Sequence, residues 1–84
     1  GDVNFMHKKD FSLSNEVFSI PGKTVLILSG NTDFRNSTII GSTDNSMIVQ
    51  IGGKFSAINT KFDSFSNIHI AGTNWSGGIN LISS

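Results

Sequence analysis

The sequence contains no cysteine and little charge. None of its 84 residues is Cys, so no disulfide can stabilise the fold and no thiolate can bind a metal. Charged residues make up 14% of the chain, six basic against six acidic, whereas a typical soluble domain carries about 25%. No basic stripe is present to neutralise phosphates, so we do not expect nucleic-acid binding. The low charge also argues against a monomer with a conventional solvated surface.

Long apolar runs and helix-forming residues are scarce as well. No run of about 18 apolar residues is present, and we therefore expect no membrane insertion. Alanine occurs twice and glutamate once, while β-branched residues are abundant, a balance that favours strands over helices. A chain of this length builds one small domain with little stability to spare. We expect oligomerisation or a longer parent chain to supply the remainder.

What the sequence does contain is a series of short apolar runs separated by turn residues. The predicted strands span residues 24–28, 37–40, 47–51, 55–58, 67–70 and 79–82. Gly30, Gly41 and Gly52 follow three of these runs at an even spacing. A strand and a turn that recur at such a short, regular interval are typical of an all-β domain.

A longer repeat emerges when the chain is shifted by about 31 residues, a period that is typical of solenoids. The shift superimposes Phe34 on Phe65, Asn36 on Asn67, Ile39 on Ile70 and Gly41 on Gly72. Three strand-and-turn units per repeat predict a short three-sided parallel β-helix (β-solenoid), in which each coil covers the next. We predict coils of about 31 residues over residues 20–84, with residues 1–19 as an N-terminal capping or lateral segment. An antiparallel β-sandwich or an intertwined β-prism is the alternative.

One predicted strand is apolar on both of its faces. Val25 and Ile27 alternate with Leu26 and Leu28, so that one pair can enter the coil interior while the other pair needs cover. Either the segment before residue 19 or a neighbouring subunit can supply that cover. With the low charge, this strand indicates association.

Three stretches carry a resemblance to a known group. Residues 20–30 look like the start of a first coil, and residues 36–41 and 67–72 look like later coils. In these stretches the chain resembles the right-handed parallel β-helix proteins, the pectate-lyase-like group that includes phage tailspikes. The resemblance implies a homotrimeric tailspike or tail-fibre piece, located in the virion tail and thus extracellular, that binds bacterial surface polysaccharide during host attachment.

Few residues suggest chemistry. The resemblance to glycan-binding spikes directs attention to Trp75, whose ring can stack on a sugar, to its neighbour Asn74 and to the turn residue Asp44. The alternative role for Trp75 is to cover the solenoid end or a subunit seam. Asp33 and Asp63 are separated by one position less than the predicted repeat, so they could lie near each other on adjacent coils as an acidic pair. The alternative is that each carboxylate caps the backbone of its own turn.

We assign no catalytic, cofactor-binding or metal-binding residues. The enzymes of the resembled group carry many more coils, so we do not expect activity from this chain by itself. The alternatives to a binding module are a fragment of a glycan-degrading lyase or hydrolase, and a cell-surface adhesin.

Overall fold

The fold is an all-β solenoid, seen in a computed structural model that describes residues 3–42, 46–70, 74–76 and 79–82, the last two segments by their backbone. The strands are β1 (Asn4–Lys9), β2 (Ser12–Ser14), β3 (Val17–Ser19), β4 (Thr24–Ser29), β5 (Thr32–Arg35), β6 (Thr38–Ile40), β7 (Met47–Gln50), β8 (Lys54–Ile58), β9 (Thr60–Asp63), β10 (Asn67–Ile70), β11 (Asn74–Ser76) and β12 (Ile79–Ile82). Within these residues there is no helix that could cross a membrane.

The strands form three sheets that the chain visits in a fixed order. The first sheet contains β1, β4, β7 and β10, the second β2, β5, β8 and β11, and the third β3, β6, β9 and β12. Every neighbouring pair of strands is parallel. Three consecutive strands therefore make one coil, and each coil pairs with the next. The predicted three-sided parallel solenoid is confirmed, and the antiparallel alternative is wrong.

The predicted coil length is wrong. Asn4 pairs with Thr24, Thr32 with Phe55, and Ile79 with Thr60. Stacked positions therefore lie about 20 residues apart, at the short end of the periods seen in solenoids. Short strands and tight corners produce this compact coil. The spacing of the glycines overestimated the length of each side, because several corners use a non-glycine residue at positive φ.

The corner between the second and third sheets shows how glycine is avoided. Asn15, Asn36 and Asn59 all adopt positive φ there, at 55°, 49° and 49°, a conformation that Asn tolerates better than most residues. The side chains also stack, since Asn59 Nδ2 donates a hydrogen bond to Asn36 Oδ1 at 2.7 Å. Asn36 was expected to stack on Asn67, which instead lies within β10.

The segment before residue 20 forms the first coil rather than a lateral cover. Its strands β1, β2 and β3 pair with β4, β5 and β6. Leu13 is buried in the core, and Phe11 and Phe18 pack against it. These side chains fill the solenoid interior, so they leave the outer side of β4 uncovered.

The core is a column of apolar side chains with one aromatic residue at its centre. Phe34 is fully buried, and its ring centroid lies 5.6 Å from that of Phe11 and 6.1 Å from those of Phe55 and Phe62. Burying one such side chain contributes about 1.5 to 3 kcal/mol. The prediction that Phe34 stacks on Phe65 is wrong, because the true register places Leu13 and Ala57 beside Phe34.

The expected stack of Ile39 on Ile70 is wrong for the same reason. Ile39 pairs with Phe18 and Phe62 in the third sheet, whereas Ile70 pairs with Gln50 in the first sheet. Gly41 contributes to a corner where an added Cβ would lie 2.8 Å from the Phe65 ring. Its expected stacking partner Gly72 lies outside the described residues.

Candidate functional site

The predicted glycan-binding residues do not share one described location. Asp44 lies outside the described residues. Asn74 and Trp75 belong to β11, where the backbone register pairs them with Lys54 and Phe55 of the second sheet. The role of all three in glycan binding stays a prediction.

The acidic pair suggested by the sequence is not formed. Asp33 lies in β5 of the second sheet and pairs with Ser12 and Ser56, whereas Asp63 lies in β9 of the third sheet. The two carboxylates therefore lie on different sides of the solenoid instead of on stacked positions. The neighbour of Asp33 is Arg35, whose Nε lies 3.3 Å from Asp33 Oδ1. Because both side chains are well exposed, this ion pair adds little to stability.

The outer side of the first sheet is the most distinctive surface. Burial alternates along β4, where Leu26 and Leu28 are fully buried while Val25 and Ile27 are half-buried on the other side. Parallel pairing keeps the same alternation in the neighbouring strands. The outward side chains are Phe5, His7, Lys9, Val25, Ile27, Ser29, Met47, Val49, Asn67 and His69. We call this surface the first-sheet face.

Apolar side chains dominate the two central strands of the first-sheet face, and the edge strands β1 and β10 carry polar side chains together with Phe5. One row across the strands reads His7, Ile27, Val49 and His69. The His7 Nε2 atom hydrogen-bonds with Ser29 Oγ at 2.9 Å. Phe5, in the next row, is 72% exposed. None of the outward positions of these four strands is an Asp or Glu.

The outer sides of the other two sheets are more polar. The second sheet presents Ser12, Asp33, Arg35, Lys54 and Ser56 among its outward positions, together with the apolar Ile58, which is 43% exposed. The third sheet presents Ser19, Thr38, Lys61 and Asp63, together with Val17 and Ile40. Both carry charges of each sign, which keeps them hydrated. The solenoid is therefore asymmetric, with one apolar side and two polar sides.

Comparison with known proteins adds no further assignment. No family model, curated protein or solved structure matches the chain. Among the described residues, no group of three His, Asp or Glu side chains is placed to hold a metal ion.

Sequence reasoning found part of the first-sheet face and missed the rest. It identified Val25 and Ile27 as outward apolar residues needing cover. It did not place Phe5, Met47 and Val49 beside them, because the assumed coil was too long and put these positions on different sides. An alternating pattern that recurs at intervals of about 20 residues is the signal that could have joined them.

Proposed function

We propose that this chain is a structural and surface-polysaccharide-binding module of a homotrimeric phage tailspike or tail fibre, which acts in host attachment. The observation that carries the proposal is the division of the solenoid into one apolar side and two polar sides. A module that packs against its own copies and also contacts a hydrated glycan needs both kinds of surface. The resemblance of residues 20–30, 36–41 and 67–72 to β-helix spikes supports the phage source.

The polar sides support glycan binding through their chemistry. Ser12, Asp33 and Ser56 form one outward row of the second sheet. Hydroxyl and carboxylate groups exchange hydrogen bonds with the hydroxyls of a sugar, and a flat row presents them along a chain of sugar units. β11 extends this sheet and brings Asn74 into register with Lys54, which is exposed on the outer side.

The proposal is tested by direct binding. The chain is applied to an array of bacterial capsular and lipopolysaccharide glycans, and hits are measured by titration calorimetry. We expect binding to at least one polysaccharide and a loss of at least tenfold in affinity for Trp75→Ala. The matched control is Phe5→Ala, which removes an exposed aromatic side chain from the first-sheet face and should change the affinity by less than twofold.

Two results would contradict this function. If the chain is folded by circular dichroism but binds none of the polysaccharides, the proposed glycan binding is refuted. If Trp75→Ala and Phe5→Ala lower the polysaccharide affinity equally, the assignment of the binding site is wrong, although the chain still binds polysaccharide. Melting curves of both variants exclude unfolding as the cause of a loss.

The two alternative functions gain no support from the geometry. A glycan hydrolase needs two carboxyl groups about 5 to 10 Å apart, and Asp33 and Asp63 are placed on different sheets. An ice-type adhesin would present an outward threonine ladder. Thr24, Thr32 and Thr60 instead point into the core.

A further inference from the structure

The first-sheet face is an uncovered apolar surface on a solenoid whose other two outer sides are more polar. Val25, Ile27, Met47 and Val49 are half-buried by their neighbours on the sheet and still reach the surface. Ile51, which follows β7, is 58% exposed. Contiguous apolar surface of this kind marks an interaction site more often than scattered single residues do.

We propose that the first-sheet face is covered by the same face of other copies of this chain, which meet around the three-fold axis of the trimer. This inference rests on the proposed function, in which the module assembles with its own copies, and it assigns the surface by which it does so. Three such faces turned toward one axis shield their apolar side chains from water.

Charge decides which surface of the second copy is involved. Packing the first-sheet face against the second sheet would bury Asp33 and Arg35, and packing it against the third would bury Lys61 and Asp63. Removing such groups from water costs several kcal/mol per ion unless new partners are supplied. Two first-sheet faces bring no carboxylate into contact. Their His7, Lys9 and His69 side chains lie on the edge strands β1 and β10, where water can reach them.

The area of the face sets the expected strength of association. Four strands about 4.8 Å apart and five residues with a rise of about 3.3 Å cover roughly 300 Å² per copy. A standard stable interface buries about 800 Å² per partner. We therefore expect weak, reversible association, visible from about 50 μM to about 1 mM rather than at nanomolar concentration.

Sedimentation equilibrium of the folded chain over that concentration range tests the proposal. We expect the average mass to rise above that of the monomer with concentration. Ile27→Ser should weaken association at least tenfold, because a symmetric interface contains the position in every copy. The matched control is Ile40→Ser, an isoleucine of the same coil that is half-buried on the outer side of the third sheet. It should change association by less than twofold.

A second variant guards against misfolding. Val49→Ser alters the neighbour of Ile27 on the next strand, and we expect the same loss of association from it. A chain that stays monomeric up to about 1 mM, whether its face is covered by another partner or stays exposed, would overturn the inference. Equal losses for Ile27→Ser and Ile40→Ser would overturn it too.

The glycan measurement separates this inference from the proposed function. Polysaccharide binding by a monomeric chain would refute the interface and leave the binding module intact. Association that depends on Ile27, without any polysaccharide binding, would support the interface and refute the proposed polysaccharide binding.

Discussion

Replacing Gly53 by alanine should disrupt the corner between the first and second sheets. Gly53 has a φ of 84° and stacks on Gly30, which has a φ of 69° at the same corner of the preceding coil. A Cβ added to Gly53 would overlap the carbonyl oxygen of Gly30 and lie 2.8 Å from its Cα. These are backbone atoms, so the clash cannot be relieved by rotating a side chain.

Two costs set the magnitude of this effect. The positive φ costs an alanine about 1 to 2 kcal/mol. Separating two stacked backbones adds strain of about 1 to 3 kcal/mol. The sum, roughly 2 to 5 kcal/mol, is a large part of the 5 to 15 kcal/mol that stabilises an ordinary domain. At about 4 to 8 °C per kcal/mol for a chain of this size, Tm should fall by at least about 8 °C.

The adjacent glycine supplies a matched control. A Cβ added to Gly52 has no atom within 4 Å, so Gly52→Ala should change the free energy of unfolding by less than about 1 kcal/mol. Urea denaturation of both variants, followed by far-ultraviolet circular dichroism, measures the difference. If the two variants have the same free energy of unfolding, to within about 0.5 kcal/mol, the stacked corner does not exist as described.

Two further predictions concern single side chains. Thr32 is buried and its Oγ1 has no hydrogen-bond partner, so Thr32→Val should stabilise the fold by about 1 kcal/mol. Thr60 Oγ1 donates a hydrogen bond to the Ile58 carbonyl at 3.0 Å, so Thr60→Val should instead destabilise the fold by about 0.5 to 1 kcal/mol. Similar urea midpoints for the two variants would contradict this prediction. At the positive-φ corner, Asn36→Ala should lower the free energy of unfolding by about 1 kcal/mol more than Asn36→Gly does. Both variants lose the hydrogen bond from Asn59, but only alanine strains the backbone. Equal melting temperatures for the two variants would show that the corner does not impose the positive φ.

The β class and the solenoid principle could be read from the chain because both depend on local composition. Apolar runs of β-branched residues, separated by turn residues and poor in helix formers, permit little besides strands. The need to cover both faces of residues 25–28 was also readable, since alternation along one strand is a local property.

The register could not be read in this way. The predicted coil aligned Phe34 with Phe65 through residue types that recur everywhere in this sequence. The true coil is shorter because its corners are tight, and at these corners the positive φ usually given to glycine is taken by Asp10, Asn15, Asn36 and Asn59. A single residue of this kind leaves no distinctive pattern in the sequence.

Local sequence thus identifies the strands and the turns, whereas the register of the folded solenoid sets which side chains meet. Phe5, Ile27 and Met47 are apolar in any arrangement, but only the parallel register of β1, β4 and β7 puts them on one surface. The same register separates Asp33 from Asp63. Strand formation depends on neighbours along the chain, whereas stacking in a solenoid depends on the summed length of three sides and three corners.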